Sequence, residues 1–423
     1  MIEIVNDVVE KAILVAVRLG RENKFVVEEH LEELQMLAET AGAETIIKMI
    51  QDRARLDSAF FIGKGKAEEL KELVDLNDVT LVIFDEDLTP TQVRNLEKLI
   101  EKKILDRSGL ILDIFASHAK TKQAKTQVEL AQLQYMLPRL TRAWTHLSKQ
   151  FGGIGTKGPG ETQIETDRRI IRTRISKLKD NLSKMEAQNI TKSVKRKEYL
   201  NATLVGYTNA GKSTLINLLT DSDLLAENKL FATLDSTTRS LELEKNKKIM
   251  ISDTVGFIRK LPHNLIESFK STLHVVADAD LILHVIDISH PFFEDHIKVV
   301  LETLKELKCD QKTQLMIFNK VDALDDKSRI DYVLNKYDNG IVISAQRGIN
   351  ITALNEKLID VFEKNFGERI LELDINESKL VAQIHSLADV LSTVYDEDKI
   401  IIKFRSDKIA ENKINQLLMN RKK

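Results

Sequence analysis

An α/β chain of several domains is predicted by three observations. The 423 residues exceed what one hydrophobic core usually holds. Two stretches, residues 1–115 and 199–366, alternate short apolar runs with helical patterns, as strands joined in parallel by helical crossovers do. Between them, residues 116–198 abandon that alternation for heptad spacing. The expected order is an N-terminal α/β domain, an antiparallel coiled-coil hairpin, a third domain on a mainly parallel sheet, and a small C-terminal α/β module over 367–423.

Composition narrows the class. Hydrophobic residues make up 43% and charged residues 30%, and no apolar run nears the roughly 20 residues of a membrane span. No integral membrane segment is expected. The N-terminus lacks the basic start and apolar core of a secretory signal, and the single cysteine, Cys309, excludes an internal disulfide. A cytoplasmic monomer is the expectation.

In the first domain, residues 12–17, 80–84 and 103–106 read as strands and 27–41, 64–75 and 89–101 as helices. Gly63-Lys64-Gly65-Lys66 lacks phosphate-loop spacing, so a turn into a helix is expected there. Leu130, Leu133, Leu137, Leu140, Trp144 and Leu147 then recur at steps of three and four. Ile164, Arg168, Ile171, Ile175, Leu178, Leu182 and Met185 repeat the pattern. These are the two seams of the hairpin, with Pro138 kinking the first arm and a capping box at 162–165 opening the second.

The hairpin tip, residues 151–160, holds five of the chain's 16 glycines. It contains a literal G-x-G-x-x-G, but a helix precedes it where a dinucleotide site needs a strand, so that reading is excluded. Residues 116–200 carry 18 Lys or Arg against 7 Asp or Glu, in a chain whose net charge is −2. Clustered cations gain from releasing the counterions of phosphates. The hairpin with its glycine-rich tip therefore reads as an RNA-binding arm, and no DNA contact is expected.

The third domain carries the chemistry. Gly206-Tyr207-Thr208-Asn209-Ala210-Gly211-Lys212-Ser213 matches G-x-x-x-x-G-K-S between an apolar strand and a helix opening at Thr214. Its amides would wrap phosphates at a helix N-terminus, Lys212 would bridge the β- and γ-phosphates, and Ser213 would ligate Mg²⁺. Asp253-Thr254-Val255-Gly256 follows a second strand. There Asp253 would hold Mg²⁺ through water and the Gly256 amide would sense the γ-phosphate. Phe231-Ala232-Thr233-Leu234-Asp235 offers Thr233 as the mobile second metal ligand, with Thr237 and Thr238 as close competitors that spacing does not separate. Lys212, Thr233 and Gly256 are the expected catalytic groups.

Asn319-Lys320-Val321-Asp322 selects the base. The Asp322 carboxylate can accept from both N1–H and the exocyclic amine of guanine, donors that adenine does not present there. The Lys320 stem would lie on the ring, Asn319 would tie this loop to the phosphate loop, and the backbone of Ser344-Ala345-Gln346 would meet the guanine O6. The combination implies a GTP- and GDP-binding switch. Phe257 stands where many small GTPases carry a water-orienting Gln, which implies slow unassisted hydrolysis. Asn209 suggests K⁺ beside the phosphates. The module after 367 reads as a strand at 370–375, a helix at 377–393, a strand at 399–404 and a last helix.

Several runs together resemble the bacterial HflX GTPases. They are 142–147, 152–163, 165–169 and the 231–235 switch, with 61–66 and 110–115 matching the N-terminal domain of that family. The resemblance implies binding to the large ribosomal subunit, with the hairpin of residues 116–198 reaching rRNA near the peptidyl-transferase centre. It implies splitting of stalled or idle ribosomes, with GTP setting affinity and hydrolysis aiding release. It also implies Ser213 and Thr233 as Mg²⁺ ligands and a hydrophobic residue at the Phe257 position. A nucleotide-gated dormancy clamp and an RNA-remodelling NTPase are the competing readings.

Overall fold

The computed structural model describes residues 9–20, 22–143, 159–193, 199–220, 230–231, 233–234, 237–244, 247–262, 275–365, 368–396, 398–406 and 408–420. The chain forms two compact units, Met1–Met185 with Asn228–Leu234 and Lys260–Lys270, and Glu186–Glu227 with Asp235–Arg259 and Ser271–Lys423.

The first unit begins β1 (Glu10–Leu19), α1 (Lys24–Thr40), β2 (Ala43–Arg53), α2 (Lys64–Leu76), β3 (Leu81–Phe84), α3 (Pro90–Ile100), β4 (Lys103–Asp106) and α4 (Arg107–His118). Its strands lie in the order β2-β1-β3-β4 and every pair is parallel. Ala12 to Val15 are buried regardless of which way each side chain points, because helices cover both faces of a parallel sheet. Ile13, Val15 and Val17 pack with Ala67, Leu70 and Val74 of α2 and Leu96 and Ile100 of α3. Local signals set the helix starts: Asn23 caps α1, and Thr89 with Gln92 forms a capping box ahead of Pro90. Strand β2 has no counterpart in the sequence reading. It is an edge strand whose Glu44 and Lys48 interrupt the apolar run, and it buries chiefly Ala43 and Met49.

Buried charge gathers at the C-terminal ends of β3 and β4. Arg107, 1% exposed, donates to Asp85 at 3.0 Å and to Glu33 on α1. One cation thus serves two buried carboxylates. Lys260 adds a second, 3.4 Å from Asp85 and paired with Glu86. Phe231 packs edge-on against Phe115 with centroids 4.7 Å apart, and His118 Nδ1–H donates to its carbonyl at 3.0 Å.

Two longer helices follow, α5 (Lys122–Ala143) and α6 (Pro159–Ser193). Asp106, fully buried, fastens α5 to the sheet. It accepts from Tyr135 Oη and from Arg139, each at 2.6 Å, while capping α4 through Gly109 N at 2.8 Å and taking Leu88 N at 3.1 Å. Burial beside that carboxylate pushes the Tyr135 phenol up. The expected seams meet in a cluster of Leu130, Leu178 and Leu182 flanked by Leu133 and Ile175, and Arg174 forks onto Glu129 at 2.7 and 3.0 Å. Helix α5 continues past Pro138. One detail of the sequence reading changes: α6 opens at Pro159, so the 162–165 box lies inside its first turns rather than at its start. Proline at a helix's first position loses no intrahelical bond and has its φ preset, which favours the earlier start. Trp144, Leu147 and tip residues 151–158 lie outside the described residues, while Pro159 and Gly160 begin α6.

The second unit contains β5 (Leu200–Gly206), α7 (Lys212–Thr220), β6 (Thr238–Glu244), β7 (Lys247–Ser252), β8 (Leu281–Asp287) and α8 (Phe293–Glu306). It continues with β9 (Thr313–Asn319), a 3₁₀ turn (Val321–Ala323), α9 (Ser328–Lys336), β10 (Gly340–Val342) and α10 (Ile351–Asn365). The sheet order is β10-β9-β8-β5-β7-β6, parallel except for the edge strand β6, which the sequence reading also lacked. Cys309 is buried just beyond α8, and burial pushes its thiol up.

A three-stranded antiparallel sheet closes the chain. It comprises β11 (Glu368–Asp374), α11 (Ser378–Leu387), β12 (Asp389–Tyr395), β13 (Lys399–Arg405) and α12 (Lys408–Asn420), with strand order β11-β13-β12. The helix expected over 377–393 is corrected here. It ends at Leu387, and the β-branched and aromatic run through Val390, Thr393, Val394 and Tyr395 pairs with β13 instead. Among the described residues, no helix is long and apolar enough to cross a membrane.

Arg107→Met should destabilise the first unit by about 3–5 kcal/mol, because two carboxylates lose their shared buried cation. In urea denaturation, Arg174→Ala, which breaks an exposed pair, should leave the midpoint nearly unchanged.

Candidate functional site

The phosphate end of the site is built where β5 stops and α7 starts. Gly211 has φ +93°, and a Cβ there would meet Asn319 Nδ2 at 2.2 Å, so both conformation and space demand glycine. Asn209 also takes a left-handed turn, φ +60°. Lys212 is 7% exposed, and its Nζ donates to Gly206 O at 3.1 Å and Tyr207 O at 2.8 Å. Burial pulls its ammonium down to about 8, against the opposing pull of Asp253. Ser213 Oγ donates to Asp253 Oδ2 at 3.0 Å, and Thr214 follows on the half-buried side of α7.

Asp253 is fully buried beyond the end of β7. Its Oδ1 accepts from Thr254 N at 2.9 Å, and Thr254 Oγ1 donates to Leu204 O at 2.7 Å, which anchors this turn beneath β5. Val255 is buried. Gly256 then crosses the phosphate loop so closely that a Cβ would lie 2.9 Å from Thr208 Cα and 3.1 Å from Lys212 Nζ.

The base end is joined to the phosphate end by one side chain. Asn319, 2% exposed, donates to Ala210 O at 2.9 Å and accepts from Ala345 N at 2.9 Å. Lys320 follows in a left-handed turn, φ +64°, with Nζ 2.7 Å from Asp287 Oδ2 at the end of β8. Val321 N donates to Ile343 O at 3.2 Å. The hydroxyl of Ser344 donates to the Asp322 carboxylate and, with Arg347 beside it, holds that group below the usual carboxylate range. Ser344 is fully buried, Ala345 nearly so, and Gln346 exposed. Each motif lies past the C-terminal end of a parallel strand, where open α/β sheets bind ligands.

The second unit therefore brings together residues 206–214, 253–256, 319–322 and 344–346. Phe231, Thr233 and Leu234 belong to the first unit, and Ala232 and Asp235 lie outside the described residues. Thr238 Oγ1 is 2.9 Å from Ser252 Oγ at the start of β6, and Thr237 contributes its carbonyl to Asp253 N. Two neighbours of the site escaped the sequence reading. Arg347 Nε lies 3.5 Å from Asp322 Oδ2, and its place directly after Gln346 was the available signal. His284, 1% exposed on β8, is pushed down to about 3, first by burial and then by Lys212, so it stays neutral. A single histidine in an apolar strand carries no pattern that would have revealed it.

Family models match the chain in three consecutive blocks: "GTP-binding GTPase N-terminal" over residues 28–116, "GTP-binding GTPase Middle Region" over 118–196 and "50S ribosome-binding GTPase" over 201–320. The GTPase HflX of Flavobacterium psychrophilum is 45% identical over 379 residues, covering 86% of this chain and 92% of its own. The GTPase HflX of Escherichia coli is 40% identical over 395 residues, covering 93% and 92%. The chain belongs to the HflX family of GTPases. A crystal structure of SsGBP with GDP is similar at 25% identity and a TM-score of 0.49, over 84% of this chain and 99% of that one. As an HflX member, the chain binds guanine nucleotides and hydrolyses GTP.

The depressed Lys212 gives this HflX site a pH signature. Near pH 9 Lys212 should be largely neutral without nucleotide, and a phosphate chain placed beside it should restore the ammonium. Calorimetry of GDP binding in buffers of different ionisation heat should show proton uptake near pH 9 that fades below about pH 7, where Lys212 is already charged.

Proposed function

We propose that this GTPase associates with the large ribosomal subunit in the cytoplasm and splits or recycles stalled and idle ribosomes. The observation that carries the reading is the exposed face of α6. Arg169, Arg172, Lys177, Lys179 and Lys184 lie in solvent while Leu178 and Leu182 are buried. Such a face suits the phosphates of folded RNA. The description of the 201–320 family model supports the same partner.

The geometry supports the nucleotide roles. Asp322 reads guanine, Lys320 flanks it, and the Ala345 amide, donating to Asn319 Oδ1, holds the 344–346 loop beside them. Ser213 would ligate Mg²⁺, with Asp253 acting through a water. The Ser213–Asp253 hydrogen bond already pairs two oxygen donors suited to a hard cation. When bound, Mg²⁺ neutralises charge on the phosphate chain. Lys212 would carry the complementary charge from the protein side, and the Gly256 amide would donate to the γ-phosphate. Asn209 is our choice for a K⁺ contact. Phe257 is 2% exposed and offers no polar group to a water, so hydrolysis alone is slow and a partner accelerates it.

Light scattering of intact ribosomes tests the partner reading. GTP or a non-hydrolysable analogue should cause dissociation that GDP does not, and replacing Lys157 should weaken splitting while sparing GTP affinity. Binding without dissociation would favour the dormancy clamp. In the same preparation, turnover should rise with ribosomes from a basal value near roughly 10⁻⁴ s⁻¹ and be faster in potassium than in sodium. Asp322→Asn should shift preference from GTP to XTP by more than about tenfold, and retained guanine selectivity would refute the base assignment.

A further inference from the structure

Tyr207 is the second residue of the phosphate loop, a position where backbone rather than side chain faces a nucleotide. Its side chain is nevertheless held on both its ring and its hydroxyl. The ring is 6% exposed and lies flat on His296 of α8, with centroids 3.8 Å apart and planes 7° from parallel. Its hydroxyl accepts a hydrogen bond from the Arg259 amide at 3.0 Å. Beside it, Phe257 N donates to Gly206 O at 3.0 Å and Thr208 N donates to Phe257 O at 2.7 Å, a short parallel bridge between Tyr207 and Phe257. The Phe257 ring is buried, so it serves as an anchor. Residues 257–259 are thus tied to the phosphate loop by three hydrogen bonds, two from backbone pairing and one from a side chain.

We infer that Tyr207 is a positioning residue for GTP hydrolysis: it ties the chain after Gly256 to the phosphate loop and to α8, which fixes the Gly256 amide where the terminal phosphate is read. The inference rests on the proposed role of Gly256. A backbone amide stabilises a developing charge only if it is already in place, because ordering it during the reaction opposes the gain. The Tyr207 hydroxyl holds the outer end of the tied segment, two residues beyond the bridge. The His296 ring holds the tyrosine by a stack that needs a flat partner. With a phenylalanine in the position after Gly256, no side chain there shares the task.

Packing alone would make Tyr207 matter equally for both nucleotides, and that difference is measurable. Tyr207→Phe keeps the ring and its stack but loses the bond to Arg259 N. It should lower the single-turnover hydrolysis rate about fivefold and weaken binding of a non-hydrolysable GTP analogue by a similar factor, while GDP affinity stays within about twofold. His296→Ala should do the same by loosening the ring, and His296→Phe should recover most of the loss. Equal weakening of GDP and the analogue, or an unchanged rate in Tyr207→Phe, would overturn the inference. Gly256→Ala is the control: if it keeps the preference for the analogue over GDP, the role of Gly256 fails and the inference falls with it.

Discussion

The nucleotide site depends on the carboxamide of Asn319. Its amide nitrogen binds the Ala210 carbonyl in the phosphate loop, and its oxygen takes the Ala345 amide in the base loop. Three segments from the ends of β5, β9 and β10 are thereby held at one spacing. A carboxylate could not donate and an ammonium could not accept, whereas the amide of Asn319 does both, from two different atoms. The same contact explains Gly211, since any side chain at that position would occupy the place of Asn319 Nδ2. The loops at 206–211, 319–322 and 344–346 are consequently one construction.

Much of this site was legible in the sequence because each part requires a particular residue type. A left-handed glycine, an amide that both donates and accepts, and a buried aspartate after an apolar strand leave few substitutes, and their order along the chain adds to the signal. Strands that are buried on both faces, such as β1 and β8, were equally plain. The misses share a physical origin. Strands β2 and β6 lie at sheet edges and β12 is half exposed, so their apolar residues alternate with charges and dilute the pattern. The start of α6 was misplaced because a spaced Thr and Glu looked like a cap, while Pro159 set the boundary earlier.

Nothing local could have revealed the charge network of the first unit. Glu33, Asp85 and Arg107 are far apart along the chain and meet only because α1, β3 and α4 converge at one end of a parallel sheet. Read singly, each is an ordinary polar residue beside a loop. The same holds for Tyr207, whose neighbour His296 is supplied by a helix from another part of the domain. Sequence reveals groups whose chemistry is specified by their own segment, and it conceals groups whose meaning depends on which distant segment lies alongside.

Asp106 has a mechanical consequence. It grips both Tyr135 and Arg139 of α5 while its own backbone belongs to the sheet edge. The clamp lies at a point that water does not reach, and it adds to the burial of Ala124, Gln127, Val128 and Ala131 in the first half of the helix. A load applied farther along α5 would be shared between that carboxylate and the buried face of the helix. Stiffness at such a mount turns a displacement at one end of the lever into a displacement of the platform that carries it.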